Sequence, residues 1–287
     1  MSAAAPGRFR ESLEMIRFSH TVFALPFALL AYFRAAGSRP DPRTLGWVIV
    51  AMVAARTAAM TFNRIADRAI DAENPRTATR SLPAGRLSAG YAAELYATAN
   101  VVFLVAAGSL NRLAMFLSIP TLAVLFAYSY TKRFTALSHL MLGLCLGIAP
   151  VGAWVAVRGK IEWAPVLLGL AVMLWTAGFD VLYALQDEEF DRARGLRSIP
   201  ARVGTRAALW ISALFHVGTL ALLALFARAV SGGPLLYAAV GIAAVALAVQ
   251  HAIVRPGDLS RLNAAFFTAN GVLSVAVGVL GIADLFV

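Results

Sequence analysis

Two sets of side chains have the types and spacing to manage a divalent cation and an anion together. Asn63, Asp67 and Asp71 recur at steps of four. At about 100° per residue they fall within roughly 80° of one helix face. Asp180, Tyr183, Asp187 and Asp191 share a face of similar width. The separation from Asp67 to Asp187 is 120 residues, and that from Asp71 to Asp191 is the same. Like charges four residues apart on a helix repel, and carboxylates at a membrane boundary are costly. A bound divalent cation removes both objections. Mg2+ takes oxygen ligands, typically one or two carboxylates with phosphate oxygens. Asn63, Asp67 and Asp71 on one face, with Asp187 and Asp191 on the other, are therefore candidate ligands for Mg2+ on a single diphosphate. The plainer account, a solvated helix end paired with Arg64, Arg68 or Arg192, suffices for one face but leaves the matched offset unexplained. Glu73, Glu188 and Glu189 are expected to face solvent or loop arginines.

Basic residues follow both faces. Arg76 and Arg80 follow the first; Arg197 and Arg202 follow the second. Guanidinium groups recognise phosphate oxygens in a bidentate manner. Lys132 and Arg133 close the run Tyr128-Ser129-Tyr130-Thr131, where Lys132 could also reach phosphate. Arg64 lies about 100° around the helix from Asn63, at the edge of the acidic face. Each base has a simpler explanation as cytoplasmic loop charge, and Tyr128 and Tyr130 as an interfacial belt. The histidines (His20, His139, His216, His251) are scattered, with no metal-binding pair and no Ser-His-Asp arrangement. No GxxxxGK[ST] loop is present, which argues against NTP-driven transport.

The elements that must carry these residues are apolar. Of 287 residues, 60% are hydrophobic and 14% charged, against about 25% charged in an average soluble domain. Mean hydropathy is +0.74. These values imply a polytopic membrane protein. The net charge of +10 then reads as membrane topology rather than nucleic-acid binding. A lone Cys145 excludes an internal disulfide framework. The segment 1–17 lacks a cleavable signal pattern, so the first apolar run is expected to be retained. Spans of about 20 apolar residues are expected at 20–36, 46–66, 90–110, 112–130, 137–157, 163–185, 207–229, 232–254 and 262–285. With the N-terminus in the cytoplasm, most of the 25 Lys and Arg residues fall on the cytoplasmic side, as the positive-inside bias requires. Both acidic faces then lie at cytoplasmic ends of spans. The loops after them share a pattern, Arg80-Ser81-Leu82-Pro83-Ala84 and Arg197-Ser198-Ile199-Pro200-Ala201, which suggests a weak internal repeat. The expected architecture is a single all-α domain over 1–287, with nine membrane helices around a cavity open to lipid. It divides into two pseudo-equivalent halves, about 1–136 and 137–287.

These residues resemble the UbiA-type intramembrane aromatic prenyltransferases, whose pattern is NDxxDxxxD and DxxxD with a preceding DxxY. Asn63, Asp67 and Asp71 match the first motif; Asp180, Tyr183, Asp187 and Asp191 match the second. The one departure is Arg64, where the family pattern often has Asp. The runs 63–85 and 17–27 are most similar to the 4-hydroxybenzoate-polyprenyltransferase-like branch, part of which serves menaquinone made through futalosine. The resemblance covers nearly the whole chain. It implies a Mg2+-dependent enzyme of the bacterial inner membrane, acting in ubiquinone or menaquinone biosynthesis. Its substrates would be a polyprenyl diphosphate, whose tail leaves sideways into membrane lipid, and an aromatic acid of the 4-hydroxybenzoate or naphthoate type. Asp67, Asp71, Asp187, Asp191 and Tyr183 would be catalytic, with Tyr183 or a nearby Phe facing an allylic cation. Arg64, Arg76, Arg80, Lys132, Arg133 and Arg197 would hold the diphosphate. Asp180, Tyr183, Arg17 and Arg56 would meet the acceptor and its carboxylate. Rival readings are a lipid or tetrapyrrole acceptor on the same fold, and a cation-coupled transporter. A transporter would place its acids near the membrane midplane, whereas these lie at span ends.

Overall fold

The structure is a computed structural model that describes residues 7–16, 21–37, 39–254 and 262–287. The described residues form helices and connecting turns, without a strand. In chain order the helices are α1 (Arg8–Met15), α2 (Thr21–Ala36), α3 (Pro42–Ala66), α4 (Arg68–Glu73), α5 (Ala89–Leu110) and α6 (Arg112–Thr131). They continue as α7 (Ser138–Arg158), α8 (Trp163–Ala184), α9 (Glu188–Ala193), α10 (Ile199–Ala229), α11 (Pro234–Ile253) and α12 (Leu262–Ala283). Among the described residues, seven helices are long and apolar enough to cross a membrane. Two shorter apolar helices, Phe23–Ala36 and Phe267–Ala283, stand where the first and last spans are expected.

Local chemistry sets the helix starts. Asp41 accepts from the amides of Arg43 and Thr44 (3.2 and 3.0 Å) ahead of Pro42, and Ser88 accepts from Tyr91 (3.1 Å). Asn111 turns the chain from α5 into α6 by capping Ala114 (2.9 Å), and its amide reaches the carbonyls of Val155 and Ala156 on α7. The helix α10 starts earlier than the expected span at 207. Ser198 caps it and Pro200 occupies its first turn, and a kink at Gly204 (φ 79°) separates this turn from the membrane portion.

The helix α7 is the hinge of the bundle. It packs against α2 and α8 on one side and α6 on the other. The helices α3, α5 and α6 form one group; α2, α8, α10, α11 and α12 form a larger one around Trp175, Phe27, Phe226 and Leu30. The α7–α8 crossing is backbone-close: a Cβ on Gly143 would lie 2.1 Å from the carbonyl oxygen of Met173. Small residues at such crossings let membrane helices approach and pack. This approach sets the first turn of α7 against the last turns of α8, where the second acidic face sits.

Candidate active site

The chain breaks its helix at one Asp of each acidic face, Asp67 in the first and Asp187 in the second. Asp67 sits between α3 and α4 at φ −95°, ψ 4°. Asp187 ends a short 3-10 turn before α9 at φ −108°, ψ 6°. Both lie in the sparsely populated bridge region. The sequence expectation of one continuous helix face is therefore corrected: each face is spread over a break. Backbone bonds from Asp67 N to Asn63 O (2.9 Å) and from Asp71 N to Asp67 O (2.8 Å) carry the helical spacing across the first break.

The two breaks meet at one cavity of about 270 Å³, lined from the first half by Asn63, Arg64, Asp67 and Asp71 and from the second by Asp180, Tyr183, Asp187 and Asp191. Asp67 and Asp71 have side chains only 5% and 6% exposed. Such buried anions need compensation, and each has it. Asp67 faces Lys132 Nζ (3.3 Å), Arg133 Nη2 (3.3 Å) and Asn63 Nδ2 (3.1 Å). Asp71 receives Arg80 Nη1 on both oxygens (2.8 and 2.7 Å) and Arg64 Nη1 at 3.4 Å. Asp187 is held in a two-point contact by Arg76, with Nε at 2.8 Å, and accepts from Asn74 Nδ2 at 3.1 Å. Burial acts to lower the Arg76 pKa, but the hydrogen bonds and charge of Asp187 outweigh it and raise the value. Asp191 lies on the same wall, bonded by Ser198.

The bases divide by position. Arg64, Arg76, Arg80 and Lys132 line the cavity. Arg64 is buried and also donates to Met15 O (3.5 Å), so it points inward from the edge that helical geometry gave it. Arg133 leans over the Tyr130 ring, 4.9 Å from its centroid, and donates to Ala66 O at 2.8 Å, outside the cavity lining. Arg197 is exposed and spent on Phe134 O (2.7 Å), away from the cavity; Arg202 is exposed as well. Arg56 lines the cavity floor. Arg17 lies outside the described residues. The Tyr183 ring carries Arg76 over it at 5.3 Å, so that face now holds a cation of the protein's own. Glu73 and Glu188 pair with Arg194 and Arg192, as expected of loop-facing acids.

Residues beyond the motifs complete the site. Asn74 bridges Asp187 and the Arg76 amide. The Thr77 hydroxyl donates to Asp71 O (2.9 Å). Only the Asn74-Pro75 pair, a turn signal, points to them in sequence. His139, which reads in sequence as one of four scattered histidines, bonds Asp180 at 2.7 Å.

Beneath the polar cavity lies an apolar chamber of about 240 Å³, walled by residues such as Val48, Met52, Phe103, Leu117 and Leu125. The two spaces share Arg56, Met60, Asn63, Tyr128, Leu142 and Leu146. A charged chamber that opens onto a greasy one suits a molecule with an anionic head and a hydrocarbon tail.

The UbiA prenyltransferase family matches residues 24–272. The chain belongs to this family. As a UbiA-family prenyltransferase it has a relative in Vibrio cholerae, a 4-hydroxybenzoate octaprenyltransferase, 30% identical over 98% of this chain and 99% of that one. A solved UbiA homologue from Aeropyrum pernix in its apo form is 33% identical, with TM-score 0.82 over 93% of this chain and 97% of that one. A UbiA homologue from Archaeoglobus fulgidus bound to DMAPP and Mg2+ (TM-score 0.72, 17% identical, 96% and 99% covered) shares the fold. Family membership makes this all-helical membrane protein an enzyme of prenyl transfer, and the matched motif residues are the ones the two helix breaks bring together.

Proposed function

We propose that this UbiA-family enzyme transfers a polyprenyl chain from an allylic diphosphate to an aromatic acid of the 4-hydroxybenzoate or naphthoate type, in ubiquinone or menaquinone biosynthesis. The observation that carries the reading is the pairing within the cavity. Asp67, Asp71 and Asp187 are neutralised by Lys132, Arg80 and Arg76. A metal diphosphate offers each group a new partner: carboxylates take the metal, bases take phosphate oxygens. The donor set is oxygen-rich and anionic, which fits Mg2+. Asn63, Asp67, Asp71, Asp187 and Asp191 would hold it, and when bound it would neutralise charge developing on the departing diphosphate. Arg76, Arg80, Lys132 and Arg64 would orient the phosphates and stabilise the same charge from fixed positions. Arg133 lies off the cavity lining and would act through its contact with Asp67, and Arg197 would contribute at most after a loop movement.

The adjoining chamber would take the proximal prenyl units, and a longer tail would continue into lipid. Its apolar walls exclude water, which protects an allylic cation from hydrolysis. If Arg76 moves to the phosphates, the Tyr183 ring face is released toward that cation. Arg56, on the shared wall, would meet the acceptor's carboxylate.

The positive-inside bias supports a cytoplasmic site in a bacterial inner membrane. The halves 1–136 and 137–287 would form one domain, since their acidic faces serve one cavity. Purified protein should release pyrophosphate from an allylic diphosphate only when Mg2+ and an aromatic acid are both present. Release that ignores the aromatic acid would overturn the reading. On a Cys145→Ala background, Ala84→Cys and Ala193→Cys, both exposed, should label from the same face of the membrane.

A further inference from the structure

On the wall opposite the first acidic face, α8 presents three polar groups in line: Thr176, Asp180 and Tyr183. Tyr183 meets Arg76. The other two have no role in holding a diphosphate. Asp180 is 25% exposed at its side chain and is contacted by His139 Nδ1 at 2.7 Å. The other nitrogen of His139, Nε2, is 3.2 Å from the backbone amide of Ile199. That amide can only donate, so Nε2 must be the acceptor. The single ring proton of a neutral imidazole then sits on Nδ1 and is donated to Asp180. Two fixed backbone elements thus determine one tautomer. The close α7–α8 crossing brings the His139 ring to Asp180, and the start of α10 brings the Ile199 amide.

The arrangement gives Asp180 the role of acceptor. One carboxylate oxygen is satisfied by His139, and the carboxylate faces the cavity. One turn earlier on the same face, Thr176 is fully buried, lines the cavity and has no hydrogen-bond partner for its hydroxyl. A buried hydroxyl without a partner is costly, and a ligand oxygen would remove that cost. Phe23 and Phe179, with ring centroids 6.0 Å apart and planes at 54°, line the same end of the cavity and offer apolar surfaces for a ring.

We propose, resting on the aromatic acceptor of the preceding section, that Thr176 receives the acceptor's ring hydroxyl and that Asp180 removes the proton from the carbon beside it. His139 is a positioning residue that donates to Asp180 and aims it. In this step the allylic C–O bond breaks and its electron pair leaves with the diphosphate. A π pair of the acceptor ring forms the new C–C bond to the prenyl carbon. The hydrogen on the attacked carbon leaves as a proton to Asp180, and the C–H pair restores aromaticity. The proton passes to solvent in the cavity when product departs.

The test uses the full-length protein in detergent or liposomes with geranyl diphosphate, Mg2+ and 4-hydroxybenzoate, either unlabelled or deuterated at both carbons beside the hydroxyl. Pyrophosphate and prenylated product are measured separately. Asp180→Asn should lower product formation by about 10²-fold or more, the range for losing a general base, while the KM for geranyl diphosphate stays near the wild-type value. The ratio of pyrophosphate to product should rise as water captures the cation. A primary isotope effect absent or small in wild type should appear. His139→Leu should show the same isotope signature, and His139→Gln should suppress it, because its amide can donate to Asp180 and accept from Ile199. Wild-type product formation with an Asp180→Asn variant that keeps its rate and shows no isotope effect would overturn this proposal alone. Absence of product from wild type would overturn the aromatic-acceptor reading beneath it.

Discussion

The segments Arg80-Ser81-Leu82-Pro83-Ala84 and Arg197-Ser198-Ile199-Pro200-Ala201 are nearly the same peptide put to different uses. In the first, Arg80 grips Asp71 on its own acidic face, and Ser81 donates to the buried carboxylate of Glu11 on α1 at 2.5 Å. Arg86 adds a second bond to Glu11 at 2.8 Å. The loop is thus strapped under α1, which also offers the carbonyl of Met15 to Arg64. In the second, Ser198 caps α10 and Pro200 sits in its first turn, so the peptide becomes the start of a helix. Arg197 turns out to Phe134 O. The second acidic face is served by Arg76, which reaches across from the first loop. A repeated sequence therefore yields an asymmetric site: one loop supplies cations for both faces, and the other supplies only the Ser198 hydroxyl and backbone.

This asymmetry has consequences that differ in size. The largest concerns the two acids at the helix breaks, one on each face. Asp67→Asn and Asp187→Asn should each lower turnover by at least about 10²-fold, the scale of removing one electrostatic stabiliser from a site. Near-normal rates in both variants at low Mg2+ would remove the metal-site reading. The next separates the two loops. Arg76→Ala should raise the donor KM roughly 10- to 100-fold, as expected for a lost charge-assisted contact. Arg197→Ala should change it by less than about twofold, the effect of an exposed group off the site. Similar losses in both would mean that the second loop swings in when substrate binds.

The smallest effect concerns the strap. The hydrogen bond from Ser81 holds the Glu11 carboxyl below its ordinary pKa; burial opposes this, and Arg86 adds to it. A carboxyl lowered in the folded state stabilises the fold above its unfolded pKa and loses that contribution as pH falls through the folded one. The strap should therefore hold fully at neutral pH and loosen only in acid, below the usual carboxylate range. Labelling of Leu82→Cys, a buried position in the same loop, on the Cys145→Ala background should stay slow at neutral pH. Glu11→Gln should speed it by up to about tenfold, the worth of one charged hydrogen bond. No change would mean that α1 rests on the loop without restraining it.

What could be read from the sequence follows the range of the interactions. The spans were legible because apolar length is a local property, and the acidic faces because their spacing is helical and their offset repeats. The breaks at Asp67 and Asp187 were not, since no glycine or proline marks them and bridge-region backbone there is set by tertiary contacts. Arg80 and Arg197 have the same neighbours in sequence and opposite fates, because the first loop is strapped under α1 whereas the second becomes the start of α10. Glu11 read as ordinary N-terminal charge, with its partner Ser81 70 residues away. His139 carried no pattern; it matters only because Gly143 lets α7 approach α8.

In the proposed enzyme, two acidic faces hold one metal diphosphate. Binding of a non-reactive allylic thiolodiphosphate, titrated with Mg2+, tests it in the wild type, Asp67→Asn, Asp187→Asn and the double variant. Residues that share one ligand should couple, with an interaction of about 0.5–3 kcal/mol between the substitutions. The expected result is Mg2+-dependent binding that weakens in each single variant and weakens in the double variant by clearly less than the two losses combined. Losses that simply add, or binding indifferent to Mg2+, would contradict a single shared site.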